Sequence, residues 1–347
     1  MFATLLGGLP RPPLPDPDRH RLDDRGVLDA LVARVIEAQE TAGLELLTDG
    51  RLRRPEFAGP LAGLHGLATA GPDRDLVVAV PGTLPAWTGP LTVDDWGFAA
   101  AATSRPVKQA LPGPYTAGRR LAGSAGIHHD RDRQALTMAL ATALRTEIEA
   151  LAAAGCPVVE IEERDAGEIG ADELERQIFR DAHLALTEGI AGIHLSLAIV
   201  GGDADAAGVE TILAAPYPSL AVDLVDGPDN WRLVRDVPGD RGVVAGALSP
   251  RVPSDDGPEL LLWAAGYAAS SNGRGRDRVG LATASSLAGL SWELAERKLG
   301  RLGEAARLAA LPAAEAAPHL DPRAIDIRSA AAGRYVPPRP PRRARRR

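Results

Sequence analysis

Apolar positions recur along this chain in two alternating periods. Leu136, Leu140, Leu144, Ile148 and Leu151 repeat at helical spacing, Gly155 stands where a helix C-cap belongs, and Val158, Val159 and Ile161 form a β-branched run. The same switch from helical to strand period recurs elsewhere. Strand-like runs lie at residues 2–6, 44–47, 107–111, 157–161, 192–199, 220–225, 242–248 and 278–283. Helical patterns are clearest at 26–42, 130–154, 171–188 and 291–310. Eight strands separated by helical segments predict an α/β fold, a single-domain (β/α)8 TIM barrel over residues 1–320. Residues 59–103, rich in Gly, Pro and Trp, break the rhythm and are expected to form an irregular insertion before the third strand. A doubly wound open sheet is the competing architecture, but GGLPRPP at 7–13 is not the glycine-rich first turn that such a sheet uses.

On the strand at 157–161 and just beyond it, Glu160, Glu162 and Glu163 are unusual, because buried strands rarely carry carboxylates. They fall toward the carboxyl end of a parallel strand, where α/β proteins hold ligands.

The 347 residues are 45% hydrophobic, enough for a large core. A net charge of −7 argues against nucleic-acid binding by the folded body. The segment 321–347 ends in VPPRPPRRARRR and is expected to be an extended to disordered tail, the one place where nucleic acid or anionic lipid would be met. Cys156 is the single cysteine, so neither an internal disulfide nor a cysteine-based zinc cluster can form. The short apolar run at 2–6 lacks a basic segment before it, and no window approaches the roughly 18 apolar residues of a membrane span, so a cytoplasmic location is expected.

Eight motifs, in order, resemble the catalytic barrel of the cobalamin-independent methionine synthase family in its short single-barrel form, related to uroporphyrinogen decarboxylase. They are TLLGGLPRP at 4–12, AQETAGLELLTDGRLRRPEF at 38–57, VKQALPGPYT at 107–116, VVEIEER at 158–164, IHLS at 193–196, AVDL at 221–224, ALSPRVPS at 247–254 and SSLAGLSWELAERKL at 285–299. The resemblance implies a (β/α)8 barrel and methyl transfer to the thiol of homocysteine. It also implies zinc held by one His, two Cys and one Glu, which keeps sulfur in its nucleophilic thiolate form.

Carried over residue by residue, the metal positions become His194, Ser196, Asp223 and Ser285, so both thiolates are replaced by hydroxyls. Zinc favours thiolate and imidazole over neutral hydroxyl, which argues against an occupied site. The positions that hold the substrate amine become Gly8, Arg51 and Glu162. A cation at Arg51 repels an ammonium group and suits a carboxylate or phosphate. A family His near the metal becomes Leu248, and its neighbouring Asp becomes Gly246.

These substitutions point to a divergent barrel with a different, anionic small-molecule substrate. Glu162, Glu163 and His194 are the candidate catalytic groups, and Gly8, Arg51, Lys108, Tyr115, Glu160 and Arg164 the candidate substrate-binding groups, all expected at one end of the barrel. Two alternatives stay open: a catalytically silent binding or scaffold barrel, and a conventional methyltransferase retaining metal through His194 and Asp223. His128, His129 and Asp130 read as a polar loop and helix start, His183 as helix packing, Cys156 as a core residue, and SNGRGRDR at 271–278 as a solvated loop.

Overall fold

A computed structural model describes residues 1–13, 25–71, 76–251 and 257–320. The tail at 321–347 and part of the 247–254 motif lie outside the described residues.

In chain order the elements are β1 (Phe2–Thr4), α1 (Arg25–Ala42), β2 (Leu67–Ala70), β3 (Leu76–Ala79), α2 (Val93–Ala101), β4 (Lys108–Pro112), α3 (Pro114–Ser124), α4 (Asp130–Ala153), β5 (Val158–Glu163), α5 (Glu173–Thr187), β6 (His194–Ile199), α6 (Val209–Ile212), β7 (Ser219–Asp223), α7 (Trp231–Asp236), β8 (Gly242–Leu248), α8 (Pro258–Ser270), β9 (Val279–Thr283), α9 (Trp292–Ala310) and α10 (Ala313–Ala316). Local chemistry sets several boundaries. The Asp172 carboxylate accepts from Leu174 N and Glu175 N to start α5, Ser291 Oγ caps α9, and Pro114 opens α3, where its missing N–H costs nothing.

Seven strands form one all-parallel sheet in the order β1-β9-β8-β7-β6-β5-β4. The expected strand at 44–47 is reduced to two isolated parallel bridges, Thr4 to Leu46 and Leu47 to Val107. This correction follows from pairing: Leu46 N bonds Ala3 O, and Leu47 bonds Pro106 and Lys108, so each partner strand is touched by only part of the segment.

Leu6, Ala198, Val200, Ala221, Val244 and Ala282 pack as one apolar cluster. They belong to, or directly follow, strands that stand up to four places apart in the sheet, so the sheet curls around them. The helices cover its other face, where α1 buries Val27, Leu31, Val32, Val35 and Ile36, and α4 buries Leu136, Leu140, Leu144, Ile148 and Leu151.

Within the 59–103 insertion, β2 and β3 pair antiparallel, and α2 follows. A buried carboxylate pins it down. Glu147 of α4 accepts from Trp87 Nε1, Leu91 N, Thr92 N and Thr92 Oγ1 at 2.8–3.0 Å. Loop 271–278 is not simply solvated. Arg274 is buried and donates to the carbonyls of Ala268, Val237 and Arg241, tying the loop to α7 and α8. His183 bonds Tyr217 and Glu163 in the core, and Cys156 is buried with Sγ on Val158 O. No helix among the described residues is long and apolar enough to cross a membrane.

Candidate functional site

The carboxyl end of the sheet gathers Gly8, Arg51, Glu162 and Arg164. Arg51 ends a loop, Thr48 to Arg51, that Gln39 fixes by accepting from Thr48 N and donating to Thr48 O, while Leu9 N bonds Gly50 O. Gly50 and Arg51 both have left-handed backbone, with φ of 68° and 57°. Gly50 adopts this freely, but for Arg51 it costs about 1–2 kcal/mol. The Asp49 carboxylate, accepting from Arg51 N at 2.9 Å, helps hold the turn. The strain aims a long cation across the mouth.

One Arg51 Nη2 bonds Glu162 Oε2, and Arg164 Nε bonds Glu162 Oε1 at 2.6 Å. Burial works to raise the Glu162 carboxyl, but Arg51 and Arg164 overcome it and hold the group below the usual carboxylate range. Glu162 is therefore an ionised anchor with both oxygens engaged. Arg51 is 8% exposed, and its Nε and Nη1 are buried without a hydrogen-bond partner. It lines a cavity of about 190 Å³ with Gly8, Arg11, Arg164 and Ser286. Phe57 lies under the guanidinium groups of Arg164 and Arg120, 5.0 and 4.9 Å from its ring centre.

Other expected members of this mouth lie elsewhere, and the alternation of a strand explains why. Glu163 has the opposite parity to Glu162 and faces the helices. Its carboxylate accepts from Tyr115 N, Thr116 N and Thr116 Oγ1 and contacts His183 Nε2, so it closes the first turn of α3. Gly113 is required there, since a Cβ would fall 2.2 Å from the Glu163 carboxyl. Tyr115 lies in the same outer layer, edge-on to Phe179, with its hydroxyl donating to Glu175 at 2.6 Å. Burial and that bond push its phenol up.

Lys108, Glu160, His194 and Ser196 are corrected to the opposite end. Lys108 begins β4 and His194 begins β6, and Ser196 is the register partner of Glu160. Lys108 Nζ bonds Glu160 Oε2 at 2.5 Å in a buried pair, and His194 Nε2 bonds Ser219 Oγ at 2.8 Å. Burial pushes the Glu160 carboxyl up against the pull of Lys108.

The four residues at the implied metal positions do not converge. Asp223 lies four residues beyond Ser219 on β7, roughly 13 Å along the strand at about 3.3 Å per residue, whereas His194 touches Ser219 itself. Asp223 is occupied by the amides of Gly201, Val225 and Asp226, although burial raises its carboxyl above the usual range. Ser285 follows β9 at the carboxyl end. Among the described residues no three His, Cys, Asp or Glu side chains come together to hold a metal ion.

The sequence reading missed Ser286, Arg11 and Phe57 at the mouth. Ser286 had one available signal, its position beside Ser285 opposite the Gly7–Gly8 turn. Its Oγ accepts from Gly8 N at 3.1 Å and donates to Gly8 O at 3.2 Å.

The sequence profile of the cobalamin-independent synthase catalytic domain matches residues 22–209, more than half of the chain. The chain belongs to this family. A 5-methyltetrahydropteroyltriglutamate–homocysteine methyltransferase of Caulobacter vibrioides is 30% identical over 139 residues, covering 38% of this chain and 17% of that relative. The chain thus spans less than a fifth of that relative's length. Among solved structures, a B12-independent methionine synthase of a Shewanella species complexed with selenomethionine superposes with a TM-score of 0.71 at 19% identity, covering 89% of this chain and 99% of the other. A methyltransferase from Methanosarcina mazei gives a TM-score of 0.55 at 14% identity over 81% and 86% of the two chains. These likenesses show the fold: an α/β chain whose curled parallel sheet is similar to the B12-independent synthase barrels.

Proposed function

We propose that this member of the family is an enzyme for a small molecule bearing a carboxylate or phosphate, bound at the carboxyl end by Arg51 and Arg164, and that zinc-dependent methyl transfer to homocysteine is not its reaction. The observation that carries the reading is the buried Arg51 guanidinium, two of whose nitrogens have no partner beside a cavity of about 190 Å³. A buried donor left unbonded is costly, and a guanidinium pairs best with a planar or tetrahedral oxyanion. The proposal includes a closed eight-stranded (β/α)8 barrel. Its support is the pair of bridges through Leu46 and Leu47, which join the two edge strands of the sheet.

In this reading Glu162 keeps Arg51 and Arg164 aligned, and the anion takes the remaining donors. The site lacks the family's means of holding a thiolate ligand, because the chain's single cysteine, Cys156, is buried before the start of β5 and the carboxyl end of β6 carries Ala198 and, just beyond it, Val200. His194 is also far from Asp223.

The test compares thermal unfolding with inorganic phosphate and with succinate, at constant ionic strength, in the wild-type chain and in Arg51→Leu. Phosphate or succinate is expected to raise the melting temperature of the wild type in a saturable way and to leave the variant unmoved. Equal responses in both proteins, or none in either, overturn the anion site. Metal analysis of chain purified without chelator tests the second part: stoichiometric zinc that is lost on replacing His194 by Ala would restore the metal-dependent alternative.

A further inference from the structure

At the amino end of the parallel sheet lies a cavity of about 540 Å³, within the range of small-molecule sites. Its two walls differ in chemistry. Along β4 to β7 runs a polar row of Lys108, Glu160, Ser196 and Ser219, in which Glu160 and Ser196, and Ser196 and Ser219, are direct register partners. Phe2, Leu46 and Val244 add apolar lining, and Val158 lies within the polar wall, paired in register with Lys108 and His194. The rim carries Glu45, Asp240 and Asp277 against Arg278.

Most of the polar row is already satisfied. Lys108 and Glu160 neutralise each other, and Ser219 is bonded to His194. Ser196 is the exception: the residue is 4% exposed, it lines the cavity, and its buried Oγ has no hydrogen-bond partner. A hydroxyl can donate and accept, so it suits a ligand group that does either.

We propose that this cavity binds a small uncharged molecule with an apolar body and one hydrogen-bonding head, a hydroxyl or carboxamide, placed against Ser196. Three carboxylates at the rim disfavour an anion, and a cation held at Ser196 would be buried near Lys108, whose partner carboxylate Glu160 is already engaged. The apolar wall takes the body of the ligand. This site is separate from the mouth. Ala221 lies between Ser219 and Asp223 along β7 and packs with Leu6, Ala198 and Ala282 in one apolar cluster, Ala198 standing opposite Glu162.

The experiment is calorimetric titration of the whole chain with benzyl alcohol and benzamide, with toluene and benzoate as controls. Benzyl alcohol or benzamide is expected to bind saturably and more tightly than either control. Ser196→Ala is expected to weaken that binding about fivefold, the equivalent of one neutral hydrogen bond of about 1 kcal/mol. Val244→Trp is expected to abolish it by filling the apolar wall. Because Ser196→Ala removes a hydroxyl that has no partner, the variant keeps its fold and decides the matter even where the tryptophan variant does not fold. Absence of saturable binding, benzoate binding more tightly than benzyl alcohol, or undiminished affinity in Ser196→Ala each overturns the proposal.

Discussion

At the carboxyl end of the sheet one carboxylate, Glu162, faces two guanidinium groups, Arg51 and Arg164; at the amino end Glu160 faces Lys108 alone. Both ends bury charge on the same strand, two residues apart, on the same face. The difference is stoichiometric. The mouth carries a surplus positive charge and two unpaired donors on a strained residue, whereas the amino-end pair is balanced and leaves only a neutral hydroxyl unsatisfied. Buried surplus charge calls for a counter-ion, while a balanced pair serves as a polar floor. On the two proposals above, one fold would hold an anion at one end of the sheet and a neutral molecule at the other.

Removing single partners should cost most. Glu162→Ala leaves the buried Arg51 and the half-buried Arg164 without their shared carboxylate and is expected to lower the unfolding free energy by about 3–5 kcal/mol, read as a fall in the urea midpoint. Glu160→Ala leaves Lys108 alone and should cost a similar amount. The two ends part when charge is removed in balance. Lys108→Met combined with Glu160→Leu replaces a self-contained pair by apolar groups and should be neutral or stabilising by up to about 4 kcal/mol. A double variant as unstable as Glu160→Ala alone would show that the amino-end pair does more than balance itself.

Acid titration should separate the ends by sign. The Glu162 carboxyl is lower in the folded chain than unfolded, so its contribution is present above about pH 4.3 and is lost as pH falls through the folded value. The Glu160 carboxyl is higher in the folded chain, so its contribution is present below about pH 4.3 and is lost as pH rises through its folded value. Urea midpoints followed from pH 3 to 8 should therefore fall less steeply on acidification in Glu162→Gln than in wild type. In Glu160→Gln the loss with rising pH should disappear. Parallel profiles for all three proteins would erase the distinction between the two sites.

Much of this arrangement was legible in the sequence, and the exceptions have a common cause. The β-branched run before Glu160 and the helical repeat from Leu136 placed β5 and α4 because both periods are strong there. Arg51 stood out because the motif resemblance sets a cation where a carboxylate is expected, and the structure brings it to Gly8 and Glu162. His194 was misplaced along its strand. A strand repeats every two residues, so a short His-x-Ser match keeps the correct face when shifted by two or four positions. Only the register, with Glu162 opposite Ala198, shows that His194 belongs to the amino end. The outer placement of Glu163 was available from its parity with Ile161. Its four contacts with α3 and His183 were not, because they join residues 20 to 48 positions apart.

The smallest expected effect concerns how tightly the amino end is closed. Cys156 lies two residues before Val158, the first residue of β5 and a lining residue of the amino-end cavity. Burial pushes its thiol up to about 11. The thiolate is the reactive form, so at pH 8 the reactive fraction is about a hundredfold smaller than for a thiol near 9, before any steric shielding is counted. Labelling by iodoacetamide at pH 8 should therefore be slow in the native chain and fast in urea. Benzyl alcohol at the amino-end cavity should slow it further if it suppresses local opening of β5, whereas phosphate at the mouth should not. Native labelling at the rate of the unfolded chain would mean that the start of β5 opens readily, and the cavity would then lack the fixed walls on which its selectivity depends.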